Sequence, residues 1–382
     1  MVQMWLWMAD GRAGKAVTYM HFAFRTDASL HIGTGHVMRC LTLADALHER
    51  GAKSTFICRP HAGHLLDLIQ QRGHTEKALA PADDAFIAPG GPTHAKWLGT
   101  DWASDAQQTQ QVLGDQVVDW LVVDHYALDR RWEQSLRPQT RRIMAIDDLA
   151  DRLHDCDLLL DQNLGRQAQD YDGLLGRHTQ TLIGPAYALL RPEFAQWRER
   201  SLLRRTQPQL KNLLITMGGV DQTNATGQVL EALSQCELPV DLRITVVIGP
   251  TAPWLAQVQA QAAAMPRPAQ VLSGVSNMAQ LIAESDFCIG AAGGSAWERC
   301  CLGLPTLVLM LAANQQSGAM ALQAHGAAWL AADTDQLMKQ LTALFNPEKS
   351  GVILSEMSQA AAKLTAGDGA VQVLELILSV HD

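Results

Sequence analysis

The stretch from His21 to Gly51 limits the fold more tightly than any other part of the chain. His21 to Phe24 is a short apolar run that reads as a buried first strand, and Thr26-Asp27-Ala28-Ser29 leaves it. Gly33-Thr34-Gly35 must then turn tightly or let a ligand approach the backbone closely. From His36 the apolar spacing becomes helical. Val37, Met38, Leu41, Leu43, Ala44 and Leu47 recur up to Arg50, and Gly51 stands where a helix ends. A strand, a glycine turn and a helix in this order open a βαβ unit, which points to an α/β fold. His36 is thereby set at a helix N-terminus on the carboxyl rim of a sheet, where such folds hold ligands and where an anion is welcome.

The rhythm continues. Ser54 to Cys58 is a second strand, and Gly63 to Arg72 a second helix ending at Gly73. Ala80 to Gly99, rich in Pro, Gly, Asp and Ala, reads as a long loop over the surface or a cleft. A helix near Asp105 to Leu113 leads into Trp120 to Asp124, whose unbroken apolar run fits a parallel strand buried on both faces. Asp124-His125-Tyr126 ends it at the rim, where such residues serve loop hydrogen bonds more often than chemistry. Arg142 to Asp148 is another strand, and its Asp147 and Asp148 either position a ligand or cap the next segment, the commoner use. Cys156 to Asn163 follows. The Arg/Glu-rich helix from Phe194 to Arg205 and then Gln207-Pro208-Gln209 read as a linker.

At Lys211 the pattern restarts, with a strand to Met217 that runs into Gly218-Gly219 and, after Asp221 to Asn224, a helix to Leu233. Strands at Ile244 to Pro250 and Val271 to Ser273 and a helix from Ser276 to Ile282 come next. Phe287 to Gly290 then leads into Gly293-Gly294-Ser295 and a helix bearing Glu298. Glycines between a strand and a helix leave N–H groups free to face a phosphate, and the helix dipole favours its charge. Gly218, Gly219, Gly293, Gly294 and Ser295 are therefore candidate diphosphate contacts. Glu298, one turn into its helix, can accept from two ribose hydroxyls. Both features also have plain structural uses, as a tight joint and as a first-turn acid that complements the dipole. No G-x-x-x-x-G-K-[ST] loop occurs.

Composition narrows the class. At 382 residues the chain calls for two domains. Lys and Arg total 30 against 39 Asp and Glu, a net charge of -9 with no basic tail, so nucleic acid is not an expected partner. The cysteines, at 40, 58, 156, 236, 288, 300 and 301, show no C-x-x-C spacing and fit reduced thiols in the cytoplasm, without a disulfide framework or a zinc site. No metal-ligand spacing of histidines appears, and no cofactor is expected. No apolar run is long enough for a membrane span. Residues 1–19 lack the features of a secretory signal and read as a non-native or disordered extension ahead of Met20.

Gly33-x-Gly35-His36-x-x-Arg39 after Arg25-x-Asp27-Ala28-Ser29 resembles the opening of the UDP-sugar hydrolases of pseudaminic acid biosynthesis. Asp124-His125-Tyr126, the runs Ile146 to Arg152 and Leu158 to Asn163, and Asn314-Gln315-Gln316-Ser317 extend the resemblance over nearly the whole chain from Met20. It implies a GT-B type fold, two Rossmann-like domains facing across a cleft: 20–205 with the catalytic histidine and the sugar side, and 206–382 gripping UDP, the last helix crossing back. It implies hydrolysis of UDP-2,4-diacetamido-2,4,6-trideoxy-β-L-altrose to UDP and free sugar by C–O cleavage with inversion, without metal. His36 would take a proton from water. Asp27, Gly35, Arg39, Tyr126 and Asn314 would serve the sugar side, and Gly218, Gly219, Gly293, Gly294, Ser295 and Glu298 the UDP. The helix N-terminus beneath His36 would disfavour an imidazolium unless a carboxylate such as Asp27 offsets it. A monomer whose partner is the small UDP-sugar alone is expected. The same architecture hosts other activities, so an inverting UDP-sugar glycosyltransferase, a hydrolysing 2-epimerase and a non-catalytic nucleotide-sugar sensor stand as alternatives.

Overall fold

The computed structural model describes residues 20–83, 86–87, 90–311 and 315–379; the extension at 1–19 and Asn314 lie outside them. The first half runs β1 (His21–Thr26), α1 (Gly35–His48), β2 (Lys53–Cys58), α2 (Leu66–Gln71), β3 (Thr75–Ala78), α3 (Trp102–Leu113), β4 (Val118–Asp124), α4 (Arg130–Leu136), β5 (Thr140–Ile146), β6 (Leu158–Asp161), β7 (Gln180–Ile183) and α5 (Pro192–Arg205). The second runs β8 (Asn212–Thr216), α6 (Ala225–Ser234), β9 (Arg243–Ile248), α7 (Leu255–Ala263), β10 (Ala269–Ser273), α8 (Met278–Glu284), β11 (Phe287–Ala291), α9 (Ser295–Cys301), β12 (Thr306–Leu309), α10 (Gln316–Ala324), β13 (Ala328–Ala331), α11 (Thr334–Leu344), α12 (Pro347–Ala362) and α13 (Gly369–Ser379).

Two parallel sheets result, ordered β3-β2-β1-β4-β5-β6-β7 and β10-β9-β8-β11-β12-β13. In each, the chain winds to one edge and then restarts beside its first strand. β1 therefore neighbours β4, with Thr26 opposite Asp124, and β8 neighbours β11, with Thr216 opposite Gly290. Connections leave such a pair in opposite directions, opening a crevice at the strand ends where doubly wound sheets bind ligands. Helices cover both faces. Phe22, Phe24, Leu41, Leu43 and Trp120 pack on one side of the first sheet, and Leu121, Val123, Leu128 and Trp132 on the other. That double burial is why β4 reads as continuous apolar sequence. The short strands β3 and β7 carry no such run and escape a reading by periodicity, and β13, though apolar, spans only Ala328–Ala331.

The halves exchange helices. α5 packs against α8, α9 and α12. Its Ser201 hydroxyl and Arg205 guanidinium donate to the Leu302 carbonyl, and Arg205 also to those of Ser285 and Ile282 at the end of α8. In the other direction α13 lies on α1, with Val373, Leu374 and Ile377 in the core of the first sheet. α12 and α13 are separate helices. Gly367 lies between them with φ +89°, and a Cβ there would come within 2.7 Å of Cys301 Sγ. Among the described residues, no helix is long and apolar enough to cross a membrane.

Candidate active site

At the crevice of the first sheet, α1 begins at Gly35, and Gly33, with φ +82°, makes the turn that starts it. His36 thus stands in the first turn of α1, beside the end of β4. Its Nδ1 lies 2.6 Å from Asp124 Oδ1. Arg39, one turn later, donates from Nε and Nη2 to the two oxygens of the same carboxylate, each at 2.7 Å. Asp124 is fully buried, which alone would raise its pKa, but Arg39 and then His36 hold the carboxyl well below its usual range. An ionised carboxylate only accepts, so Nδ1 carries the hydrogen. The Arg39 Nη2 contact to Nδ1 is 3.5 Å and does not compete with one of 2.6 Å. In the neutral ring the lone pair therefore sits on Nε2. That makes His36 a base with a fixed tautomer.

Asp148 closes the network. Its Oδ2 accepts from Arg39 Nη1 at 2.7 Å and from the Tyr126 hydroxyl at 2.5 Å. Burial, and next the charge of Asp148, push the Tyr126 phenol well above its usual pKa, so it remains a donor. The Tyr126 ring meets His36 edge-on, with centroids 4.6 Å apart. Asp147 has the capping use, accepting from the Leu149 and Ala150 amides.

Several expected residues take different places. Arg39 is spent on Asp124 and Asp148, and Tyr126 on Asp148, so in this structure both hold the machinery rather than offer free donors. Asp27 does not face His36. It is fully buried, accepts from Arg25 Nη1 and the Arg59 amide at 2.7 Å each, and lies 3.2 Å from His125 Nε2. Arg25 and Arg59 in turn share Asp105. This network ties β1 to β2 and α3, and the carboxylate that serves the histidine is Asp124. Gly35 is exposed, with open space where a Cβ would stand.

In the second sheet the two glycine turns leave neighbouring strands, β8 and β11. They are not equivalent. The amides that open α6 are already taken, those of Ala225 and Thr226 by the Asp221 carboxylate and that of Gly227 by Asn224. The helix after Gly218-Gly219 therefore has no free first turn to offer a phosphate. α9 has no side-chain cap, and its turn is held from beneath by Arg299. That buried guanidinium donates to the Ala291 carbonyl at 2.7 Å and to Ser295 Oγ at 3.1 Å. The Ser295 hydroxyl keeps its own hydrogen to donate, and a fixed positive charge lies under the turn. Glu298 is half-buried, and burial pushes its carboxyl up to about 7. Arg191, 3.9 Å away and closer to Glu193, offsets this only in part.

The two crevices share a seam. Gln222 Nε2 donates to the Leu30 carbonyl at 2.6 Å, and a Cβ on Gly219 would stand 3.6 Å from Thr34 Oγ1. The turn before His36 thus abuts the turn after β8. Asp124 and Arg299 are the members that sequence reasoning missed, and Asp148, weighed there as a ligand-positioning or capping acid, instead holds Arg39 and Tyr126. Asp124 was visible as a carboxylate ending an apolar strand, but only the β1–β4 pairing makes it the partner of His36.

Residues 212–373 match the model of the Glycosyltransferase family 28 C-terminal domain. The chain is 26% identical to the UDP-2,4-diacetamido-2,4,6-trideoxy-beta-L-altropyranose hydrolase of Campylobacter jejuni over 80% of its own length and 97% of that protein. It is 26% identical to the spore coat polysaccharide biosynthesis protein SpsG of Bacillus subtilis, over 54% of this chain and 60% of that one. Among solved structures, MurG of Acinetobacter baumannii superposes with a TM-score of 0.64 at 17% identity, covering 94% of this chain and 99% of the other. The architecture is the GT-B fold, two Rossmann-like domains, and the resemblance to the hydrolase holds along most of the sequence.

Proposed function

We propose that the chain is an enzyme acting on UDP-sugars, and specifically a hydrolase that releases UDP from UDP-2,4-diacetamido-2,4,6-trideoxy-β-L-altrose in pseudaminic acid biosynthesis. The observation that carries it is the His36–Asp124 pair at the crevice of the first sheet, a base whose tautomer is set and whose neighbours balance charge. Asp124 and Asp148 against Arg39 leave one net negative charge to meet an imidazolium. The likeness to the Campylobacter jejuni enzyme supports the substrate.

The residues divide the work as follows. His36 Nε2 takes a proton from a water, whose oxygen bonds to the anomeric carbon. The bond from that carbon to the UDP oxygen breaks, and its electron pair leaves with the β-phosphate. Asp124 stabilises the imidazolium, which returns its proton to solvent. Gly293, Gly294 and Ser295, above the Arg299 charge, receive the diphosphate, and electrostatic stabilisation of the leaving group comes from there. Glu298 accepts from the ribose. Gly218 and Gly219 line the seam, Gly35 leaves room for the sugar, and Asn314 is proposed to contact it. Attack from the side opposite the leaving group inverts the anomeric centre.

An inverting transferase would use the same cleft with an acceptor hydroxyl in place of water. Incubation with the UDP-linked sugar and no acceptor, followed by NMR, tests the choice. Equal release of UDP and free sugar is expected, and UDP release that requires an added acceptor would overturn the hydrolase reading.

A further inference from the structure

The long loop between β3 and α3 brings two side chains to the site that the mechanism does not use. His94 and Trp97 pack on each other with ring centroids 4.4 Å apart, and both lean on Tyr126, at 5.3 and 5.7 Å. Tyr126 is the ring that meets His36. Tyr126 itself is almost fully buried and its hydroxyl is committed to Asp148, whereas His94 and Trp97 stay partly exposed. The accessible part of this wall is therefore an indole and an imidazole.

Such a surface suits one kind of sugar substituent. Ring faces favour methyl groups over hydroxyls, which lose water without gaining a partner. His94 Nδ1 is buried and has no hydrogen-bond partner among the described residues, so the wall also holds one unsatisfied polar atom. Burial lowers the His94 pKa, with Arg152 and His36 adding to this against Asp151. A neutral ring offers one donor and one acceptor, which fits an amide better than an anion. Of the cations beside the wall, Lys96 is exposed to solvent and the two guanidinium groups are not free to bind a carboxylate. Arg152 is bound to Asp147, Asp151 and the Leu128 carbonyl, and Arg39 to Asp124 and Asp148.

We propose that His94 and Trp97 form an N-acyl subsite beside His36, the indole packing on the acyl methyl group and the imidazole hydrogen-bonding the amide. This rests on the UDP-sugar reading above and gives it a basis for selecting acetamido sugars over hydroxylated ones.

The test is binding, which needs no turnover. Affinities for UDP, for the UDP-linked 2,4-diacetamido sugar and for its counterparts with a hydroxyl at C2 or at C4 are measured by calorimetry on wild type, His94→Ala, His94→Gln, Trp97→Ala and Trp97→Phe, each made inactive by His36→Ala. In the parent, one of the two hydroxyl counterparts should bind roughly tenfold more weakly than the diacetamido compound, the equivalent of one hydrogen bond with its packing. Both alanine variants should bring that ratio to about one, and Trp97→Phe and His94→Gln should keep most of it, with UDP affinity unchanged throughout. A ratio preserved in both alanine variants overturns the subsite and leaves the hydrolase reading standing. A parent that binds all three sugars equally overturns the choice of substrate as well.

Discussion

Replacing Asp124 by asparagine changes one atom and removes the basis for the His36 tautomer. Three N–H groups converge on the Asp124 oxygens, from His36 Nδ1 at 2.6 Å and from Arg39 Nε and Nη2 at 2.7 Å, with the Cys40 thiol a weak fourth donor at 3.5 Å. A carboxylate accepts all three, while a carboxamide has one accepting oxygen and an NH₂. Arg39 donates to both oxygens and shares Oδ1 with His36, so in either orientation the NH₂ meets one guanidinium N–H, and when it stands in the place of Oδ1 it also faces His36. In that orientation the ring relieves the clash by moving its hydrogen to Nε2, where it can no longer take a proton from water; in the other it keeps its tautomer and loses the negative charge that stabilises the imidazolium. In the serine-protease triad the corresponding Asp→Asn change costs about 10⁴-fold in kcat through the wrong tautomer, and a loss of up to about that size is expected here. Arg39 keeps Asp148, so the loss of stability should stay near about 3 kcal/mol or less, the lower end for a broken buried pair. UDP release at saturating substrate measures the first effect and thermal unfolding the second. A kcat within tenfold of wild type, in a folded variant that still binds UDP, would refute the role of Asp124.

Further expectations concern the division between the domains. His36→Ala should abolish turnover while calorimetric UDP affinity stays near wild type, because the base and the nucleotide grip lie on different sheets; a folded variant that loses UDP would contradict this. Glu298→Ala should weaken UDP by about 1.5 to 3 kcal/mol, as for other hydrogen bonds to a charged group; unchanged affinity would return Glu298 to a dipole-complementing role. Burial raises the Glu298 pKa from 4.5 to about 7, so its contribution to stability is present below the lower value and is lost as pH rises through the higher one. Relative to wild type, Glu298→Gln should therefore gain melting temperature between about pH 5 and about pH 8, and a difference independent of pH would count against burial as the cause. EDTA should leave the rate unchanged; inhibition that Mg²⁺ reverses would show that a metal, not the Arg299-backed turn, meets the leaving diphosphate.

How much of this the sequence disclosed follows from how far each contact reaches along the chain. The change of period at His36 is local, so the strand, the turn and α1 could be read from about thirty residues. The glycines at 293 and 294 and the acid at 298 are legible for the same reason. Asp124 is not, because its partnership with His36 exists only once β1 and β4 lie side by side in the sheet. Asp27 shows the converse. It sits close to His36 in sequence and looks like its carboxylate, but the buried guanidinium of Arg25, two residues away, claims it first. Gly218-Gly219 and Gly293-Gly294 look alike as motifs, and only the Asp221 and Asn224 caps tell them apart. His94 and Trp97 lie in a stretch that composition marks as loop, where spacing carries no information about what the rings cover.

The central claim is that a water activated by His36 attacks the anomeric carbon rather than phosphorus, and the fate of solvent oxygen tests it most directly. Both routes yield the same sugar and UDP in ordinary water. In ¹⁸O-labelled water, with the products separated and weighed by mass spectrometry after a single turnover, the heavy oxygen should appear in the free sugar and be absent from UDP. Label in the β-phosphate of UDP, with an unlabelled sugar, would mean P–O cleavage and would leave His36 and Asp124 without the chemistry assigned to them.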